Sequence, residues 1–117
     1  MSEIKIFTDK IPFSEIKRLA DLRFGDMVKG VVDIENGKIA LGGELHADEE
    51  AELLNEGSEQ ENLWGINIYP DIKFPDNIEF DSMINIRPRQ NNRSRAIESE
   101  EVKNKILEIL KDRIVYE

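Results

Sequence analysis

A β-hairpin is predicted by the segment MVKGVVDIENGKIALGGEL, which runs from Met27 to Leu45. Asn36-Gly37 supplies the two positive-φ positions of a type I′ turn, so we expect Glu35 to face Lys38 across a two-residue loop. In this register one face of the hairpin is apolar and the opposite face is mixed. The apolar face comprises Val28, Val32, Ile34, Ile39, Leu41 and Leu45. Such alternation is typical of an antiparallel sheet with one buried face.

Helices and further strands are predicted on either side of this hairpin. Residues 4–7 fit a short strand and an extended arm equally well. The pattern of apolar residues places helices at residues 12–24, 47–56 and 98–115, and strands at residues 62–69 and 78–86. The first helix is expected to bury Ile16, Leu19, Ala20 and Phe24, and the strand at residues 62–69 is expected to bury Trp64, Ile66 and Ile68. The resulting order is α-β-β-α-β-β-α in a single domain over residues 1–117. We therefore predict an α+β fold, in which a four-stranded, mainly antiparallel sheet has its helices packed on one face.

The composition excludes several classes of protein. The chain contains no cysteine, so disulfides, thiolate metal sites and cysteine nucleophiles are excluded. No apolar run approaches the ~20 residues that are needed to cross a bilayer. Residues 1–5 lack the basic-then-apolar order of a signal peptide. We therefore expect a cytoplasmic protein without membrane contact.

The formal net charge of −9 is concentrated in the middle of the chain. Between Lys38 and Lys73 there is no lysine or arginine, but there are nine acidic residues: Glu44, Asp48, Glu49, Glu50, Glu52, Glu56, Glu59, Glu61 and Asp71. This distribution argues against binding of a nucleic-acid backbone by this segment. It favours a basic protein partner, for which Asp48, Glu49, Glu52 and Glu56 are the expected contacts.

Four motifs follow one another through the centre of the chain. They are FGDMVK (24–29), GGELHAD (42–48), NLWGINIYP (62–70) and EFDSMINIRP (79–88), and NRSR (92–95) follows them. In these motifs the chain resembles a family of short prokaryotic proteins classed as a domain of unknown function, and the resemblance covers most of its length. It implies no activity, cofactor or catalytic residue, so the candidate sites depend on the residues alone.

The first candidate site lies around the only histidine. Glu44, His46 and Asp48 offer carboxylate and imidazole ligands within five residues, and Asp33 or Asp81 could add a ligand from a neighbouring strand. A structural explanation is equally specific. In the predicted register Glu44 faces Lys29 as a cross-strand ion pair, His46 enters the following helix, and Asp48 is a helix N-terminal acid.

The second candidate site is the mixed face of the sheet. Asn67, Asp81 and Asn85 are expected to point to this face. The same face carries several large apolar residues, namely Met27, Val31, Leu63, Tyr69 and Met83. We expect part of it to be covered by a second subunit or partner, by a small molecule, or by a loop of this chain.

The third candidate site is the loop that contains Arg87, Arg89, Arg93 and Arg95. Guanidinium groups bind phosphate or carboxylate in a bidentate manner, and a turn at Asn91-Asn92 would bring the two arginine pairs together. The alternative is that these arginines compensate the acidic helix. No aromatic residue lies between them, so the stacking of nucleic-acid bases is unsupported.

These sites lead to two competing hypotheses about function. The first is a non-enzymatic acidic module that self-associates or binds a basic protein, as an antitoxin binds its toxin. The alternative is a small metal-dependent hydrolase or an anionic small-molecule-binding protein that uses Glu44, His46, Asp81 and the arginine loop. The alternative requires the loop arginines, His46 and Asp81 to converge on one pocket, whereas the module requires a packed or capped His46. We assign no catalytic residue, cofactor or metal.

Overall fold

The computed structural model describes residues 4–116 and has an α+β fold built on a five-stranded sheet. Its elements are β1 (Lys5–Phe7), β2 (Ile11–Pro12), α1 (Phe13–Arg23), β3 (Val28–Asp33), β4 (Ile39–Leu41), α2 (His46–Asn55), β5 (Leu63–Ile68), β6 (Ile78–Glu79), α3 (Glu100–Arg113) and β7 (Ile114–Val115). The main sheet has the strand order β1-β4-β3-β5-β6, and every neighbouring pair in it is antiparallel. It has five strands rather than four because β1 pairs with β4.

Two short strands form a second sheet, in which β2 and β7 pair in parallel. None of the helices described over residues 4–116 is long and apolar enough to cross a membrane. Residues 1–3 and 117, which contribute to the predictions of the signal peptide and the domain limits, lie outside the described residues.

The predicted hairpin is present, but its register differs by two residues. Val32 pairs with Ile39, and the backbone N–H of Asp33 donates to the carbonyl of Lys38 at 2.9 Å, so the loop has four residues rather than two. The reason is the Asp33 side chain, whose Oδ1 accepts from the N–H groups of Glu35 and Asn36 at 2.9 and 3.1 Å. A shift of two residues leaves the paired side chains of β3 and β4 on their predicted faces. The prediction for Leu45 is wrong: it lies beyond the end of β4 and borders the pocket on the mixed face instead of packing on the apolar face.

The apolar face of the sheet forms the larger core with α1 and α3. Val28, Val32, Ile39 and Leu41 of the hairpin pack there with Trp64, Ile66 and Ile68 of β5, as predicted. The helices contribute Ile16, Leu19, Ala20, Ile106 and Leu110. Phe24, which was predicted to be buried, is more than one-third exposed because α1 ends at Arg23.

The prediction that all helices pack on one face is wrong, because α2 covers the opposite face. Leu53 of α2 packs there in a second buried cluster with Val31, Ala40 and Leu63. The large apolar residues of the mixed face are thus explained in part by this chain's own helix. The part of the face that α2 leaves open is the floor of the pocket described below.

The strand predicted at residues 78–86 ends at Glu79. In the register of β5 and β6, a longer strand would place Asp81 opposite Gly65. The Asn85 side chain occupies this position instead: its Oδ1 accepts from the Gly65 N–H at 2.8 Å and its Nδ2 donates to the Gly65 carbonyl at 3.0 Å. The chain between them turns into a short 3₁₀ helix at Met83–Asn85, which Ser82 caps by accepting from the Ile84 N–H.

This arrangement requires a residue without a side chain at position 65. A Cβ atom on Gly65 would lie 2.5 Å from the Ser82 Cβ and 2.7 Å from its Oγ. We expect Gly65→Ala to lower the free energy of unfolding by about 1–3 kcal/mol through overpacking, as measured by urea denaturation. Adding Ser82→Gly should recover part of this loss, because it removes the clashing atoms. Unchanged stability of Gly65→Ala would contradict the close packing of residues 82–85 on β5.

Candidate functional site

A pocket of about 480 Å³ lies on the open part of the mixed face, between the start of α2 and the 3₁₀ segment at Met83–Asn85. It is lined by Met27, Lys29, Leu45, His46, Ala47, Asn67, Tyr69, Glu79, Asp81, Ser82, Met83, Ile84 and Arg95. Four of the nine candidate site residues, His46, Asn67, Asp81 and Arg95, therefore meet in one cavity. They come from four separate segments of the chain.

A row of three side chains crosses the floor of the pocket. Lys29 pairs with Asn67 across β3 and β5, and Asn67 pairs with Glu79 across β5 and β6. The Asn67 Nδ2 donates to the Glu79 Oε1 at 2.8 Å and to the Asp81 carbonyl at 3.3 Å. Because both partners are acceptors, the orientation of the amide is determined. Asn67 is 5% exposed, and its buried Oδ1 has no hydrogen-bond partner within residues 4–116.

His46, the first residue of α2, packs against the same strand. Its Nε2 lies 2.8 Å from the Ile66 carbonyl, which can only accept, so Nε2 carries the proton and Nδ1 is the basic nitrogen of the neutral ring. Burial lowers the pKa of His46 below its ordinary value, and the positive charge of Lys29 acts in the same direction. The Ile66 carbonyl, Asn67 and Asp81 oppose this change in pKa. Burial therefore favours the neutral form of the ring.

Asp81 and Arg95 form the charged wall of the pocket. The Arg95 Nε donates to the Asp81 Oδ1 at 2.8 Å, and its Nη2 donates to Oδ2 at 3.3 Å. A two-point contact of this kind is the usual way in which a guanidinium group pairs with a carboxylate. Their charges cancel at the pocket surface.

The other five candidate residues lie outside the lining of the pocket. Glu44 is exposed and lies 3.9 Å from Arg23, not opposite Lys29 as the two-residue hairpin loop predicted. Asn85 is fully buried by its contacts with Gly65. Arg87 stacks on the Trp64 ring at 4.5 Å and donates to backbone carbonyls, and Arg89 and Arg93 are exposed.

Arg87 and Arg95, one from each arginine pair, have different surroundings. The loop does turn at Asn91, where φ is 60°. The backbones of Arg87 and Asn92 pair there as an isolated antiparallel β-bridge. The two ends of the loop have different contacts, since Arg87 packs on Trp64 whereas Arg95 pairs with Asp81. Within residues 4–116 no group of three or more histidine, aspartate and glutamate side chains is arranged to hold a metal ion.

Glu49 is a notable residue that the sequence did not reveal. It was predicted as an exposed contact for a basic partner, but its side chain is fully buried against Gly43. Its Oε2 accepts from the Gly43 N–H at 2.9 Å, and its Oε1 has no partner within the described part of the chain. Burial raises the pKa of this carboxyl well above its ordinary value, although the Gly43 N–H and Lys29 oppose the rise.

Comparison with protein-family models matches residues 5–113 to a family described as "Protein of unknown function (DUF5674)". Neither the search of curated proteins nor the search of solved structures gave a match.

The raised pKa of Glu49 predicts a specific dependence of stability on pH. Above 4.5, the ordinary pKa of the group, the unfolded chain releases a proton that the folded chain retains, so folding loses stability as pH rises towards the folded-state pKa. Glu49→Gln should therefore become more stable relative to the wild type as pH is raised from about 5 to about 8. Urea denaturation at several pH values measures this difference. Glu52→Gln, an exposed position on the same helix, is the control, and parallel profiles for wild type and Glu49→Gln would contradict the prediction.

Proposed function

The chain belongs to the DUF5674 family, and we propose that it is a binding protein that holds a small polar molecule in the pocket beside His46. The observation that carries this proposal is the convergence of His46, Asn67, Asp81 and Arg95, from four separate segments, on one cavity. Its volume of about 480 Å³ falls within the range of pockets that bind metabolites. This proposal develops the small-molecule alternative, with Arg95 as the contributing residue of the arginine loop.

Binding is favoured over catalysis because the polar groups of the pocket are already held in place by protein partners. The Ile66 carbonyl holds His46, Arg95 holds Asp81, and Asn67 together with the Tyr69 hydroxyl donates to Glu79. Side chains fixed in this way lose little conformational freedom when a ligand arrives, which supports recognition.

A variant that fills the pocket tests the proposal. Ala47 lines the pocket on the first turn of α2, whereas Ala51 is exposed on the same helix and does not line it. We expect a panel of amino acids, nucleosides, sugars, carboxylates, phosphate monoesters and polyamines to contain a compound that raises the melting temperature of the wild type. The compound should act on Ala51→Trp and fail on Ala47→Trp, because only the latter occupies the site. A ligand at a hundredfold excess over its Kd adds about 2.7 kcal/mol to stability.

Two outcomes would overturn this proposal. One is that no compound of the panel stabilises the wild type. The other is that the stabilising compound acts equally on Ala47→Trp, which would place its site elsewhere.

A second candidate function is the docking of a basic protein on α2. Asp48, Glu52 and Glu56 follow one another at four-residue spacing and form an exposed acidic stripe along and just past the end of α2. Glu56 lies 3.6 Å from Lys38, and within residues 4–116 Asp48 and Glu52 have no ion-pair partner. A basic partner would extend this compensation along the helix.

Binding to poly-L-lysine distinguishes this stripe from general acidity. The combined variant Asp48→Asn, Glu52→Gln, Glu56→Gln should bind poly-L-lysine more weakly than the control Glu100→Gln, Glu101→Gln, Glu108→Gln, which removes the same charge from α3. Titration calorimetry at low salt gives the two affinities. Equal weakening would mean that net charge alone is responsible, and the stripe would then be rejected as a docking surface.

A further inference from the structure

We propose that the ligand of this pocket is a zwitterion of the amino-acid class, whose ammonium binds at Glu79 and whose carboxylate binds at Lys29, with an apolar side chain against Leu45 and Met83. This inference rests on the proposed function and names its ligand chemistry. It follows from the charges of the lining, their order across the sheet and the apolar side of the cavity.

The pocket contains two positive and two negative side chains, and only one pair is mutually neutralised. Arg95 and Asp81 satisfy each other through their two-point contact. Glu79 accepts only from neutral donors, the amide of Asn67 and the hydroxyl of Tyr69. Lys29 lies over the Phe24 ring at 5.1 Å, and within residues 4–116 no carboxylate is within ion-pair distance of it.

One uncompensated ammonium and one uncompensated carboxylate thus face the same cavity. An anion bound at Lys29 would lie close to the unpaired carboxylate of Glu79 and would be repelled by it. A cation bound at Glu79 would likewise be repelled by the ammonium of Lys29. A ligand that carries both charges satisfies both residues and keeps the complex neutral.

The order of the side chains across the sheet gives the ligand its direction. Lys29, Asn67 and Glu79 occupy facing positions on three neighbouring strands, where each step is about 4.5–5.5 Å between Cβ atoms. The neutral amide of Asn67 therefore separates the two charges. The Glu79 carboxylate accepts from Asn67 and Tyr69 on one side of this amide, and Lys29, whose ammonium lies over the Phe24 ring, lines the cavity on the other side. An amino acid carries its two charged groups a short distance apart and can bind between them.

The apolar side of the cavity accounts for the side chain of the ligand. Leu45 is 53% exposed and Met83 is 66% exposed, and both border the pocket together with Met27 and Ile84. Binding becomes more favourable when a ligand covers exposed apolar groups and removes them from water. Methionine is also well suited to surround side chains of different shapes. Amino acids with larger apolar side chains, such as leucine, methionine and phenylalanine, are the expected ligands.

The test combines two variants with two chemical analogues of leucine in calorimetric titrations. N-acetyl-L-leucine lacks the ammonium, and L-leucinamide lacks the carboxylate. On the wild type each analogue should bind about tenfold more weakly than L-leucine. Glu79→Gln should weaken L-leucine and remove the penalty for acetylation, whereas Lys29→Met should weaken L-leucine and remove the penalty for amidation.

Charge changes away from the pocket are the matched controls. Lys105→Met and Glu108→Gln alter exposed residues of α3 and should leave the affinity for L-leucine unchanged. If acetylation and amidation of leucine weaken binding to both pocket variants as much as to the wild type, the assignment of the two charges is wrong. If leucine, methionine and phenylalanine all fail to bind, the inference is also overturned.

The outcomes separate this inference from the proposed function. If the panel yields a ligand that Ala47→Trp blocks but that lacks one of the two charged groups, the pocket is a binding site and the zwitterion is wrong. If no compound stabilises the wild type, both are wrong.

Discussion

The two hydrogen bonds between the Asn85 amide and the backbone of Gly65 determine how this chain leaves its sheet. A side-chain amide carries a donor and an acceptor at nearly the spacing of a backbone peptide. Asn85 can therefore form the two hydrogen bonds to the backbone of Gly65 in β5 that a neighbouring strand would otherwise form. Strand β6 can therefore end at Glu79 without leaving the buried Gly65 N–H and carbonyl unpaired. Residues 82–84 are consequently free to turn over the sheet, and they form one wall of the pocket. Asn92 supports the same arrangement, since its Nδ2 donates to the Asn85 carbonyl at 2.7 Å.

The second constraint is that both faces of the sheet are covered, but unequally. The larger core lies under α1 and α3, whereas α2 contributes only Leu53 to a cluster with Val31, Ala40 and Leu63. The start of α2 is held by polar contacts instead: His46 reaches the Ile66 carbonyl and Glu49 reaches the Gly43 N–H. A buried carboxyl with one unpartnered oxygen contributes little to the stability of this end of the helix. The pocket lies directly beside it.

A feature of this fold is predictable from the sequence only when a local interaction decides it. Alternation of apolar residues placed Val32, Ile39 and Ile66 correctly, because a period of two leaves no choice of face. The hairpin register failed because the Asp33 carboxylate binds the loop backbone, and such local competition is not visible in Asn-Gly alone. The strand at 78–86 failed because Asn85 replaces it through a contact twenty residues away in sequence. Glu49 resembled any acid in a first helical turn, and nothing in the sequence distinguished it from its exposed neighbour Asp48.

The candidate site residues also differ in whether a long-range contact decides their role. Asn85 and Arg87 have the residue types of a binding site, but their polar atoms are used to build the fold around Gly65 and Trp64. Lys29 was predicted to form an ion pair with Glu44, and no role was predicted for Glu79. Only strand pairing shows that they lie on either side of Asn67, in a row that the fold does not neutralise. Glu79 is exposed and Lys29 is half-buried, and direct pairing of two charges near the protein surface would add little stability. Their position in one cavity with an apolar wall is the geometric basis of the proposed zwitterion site.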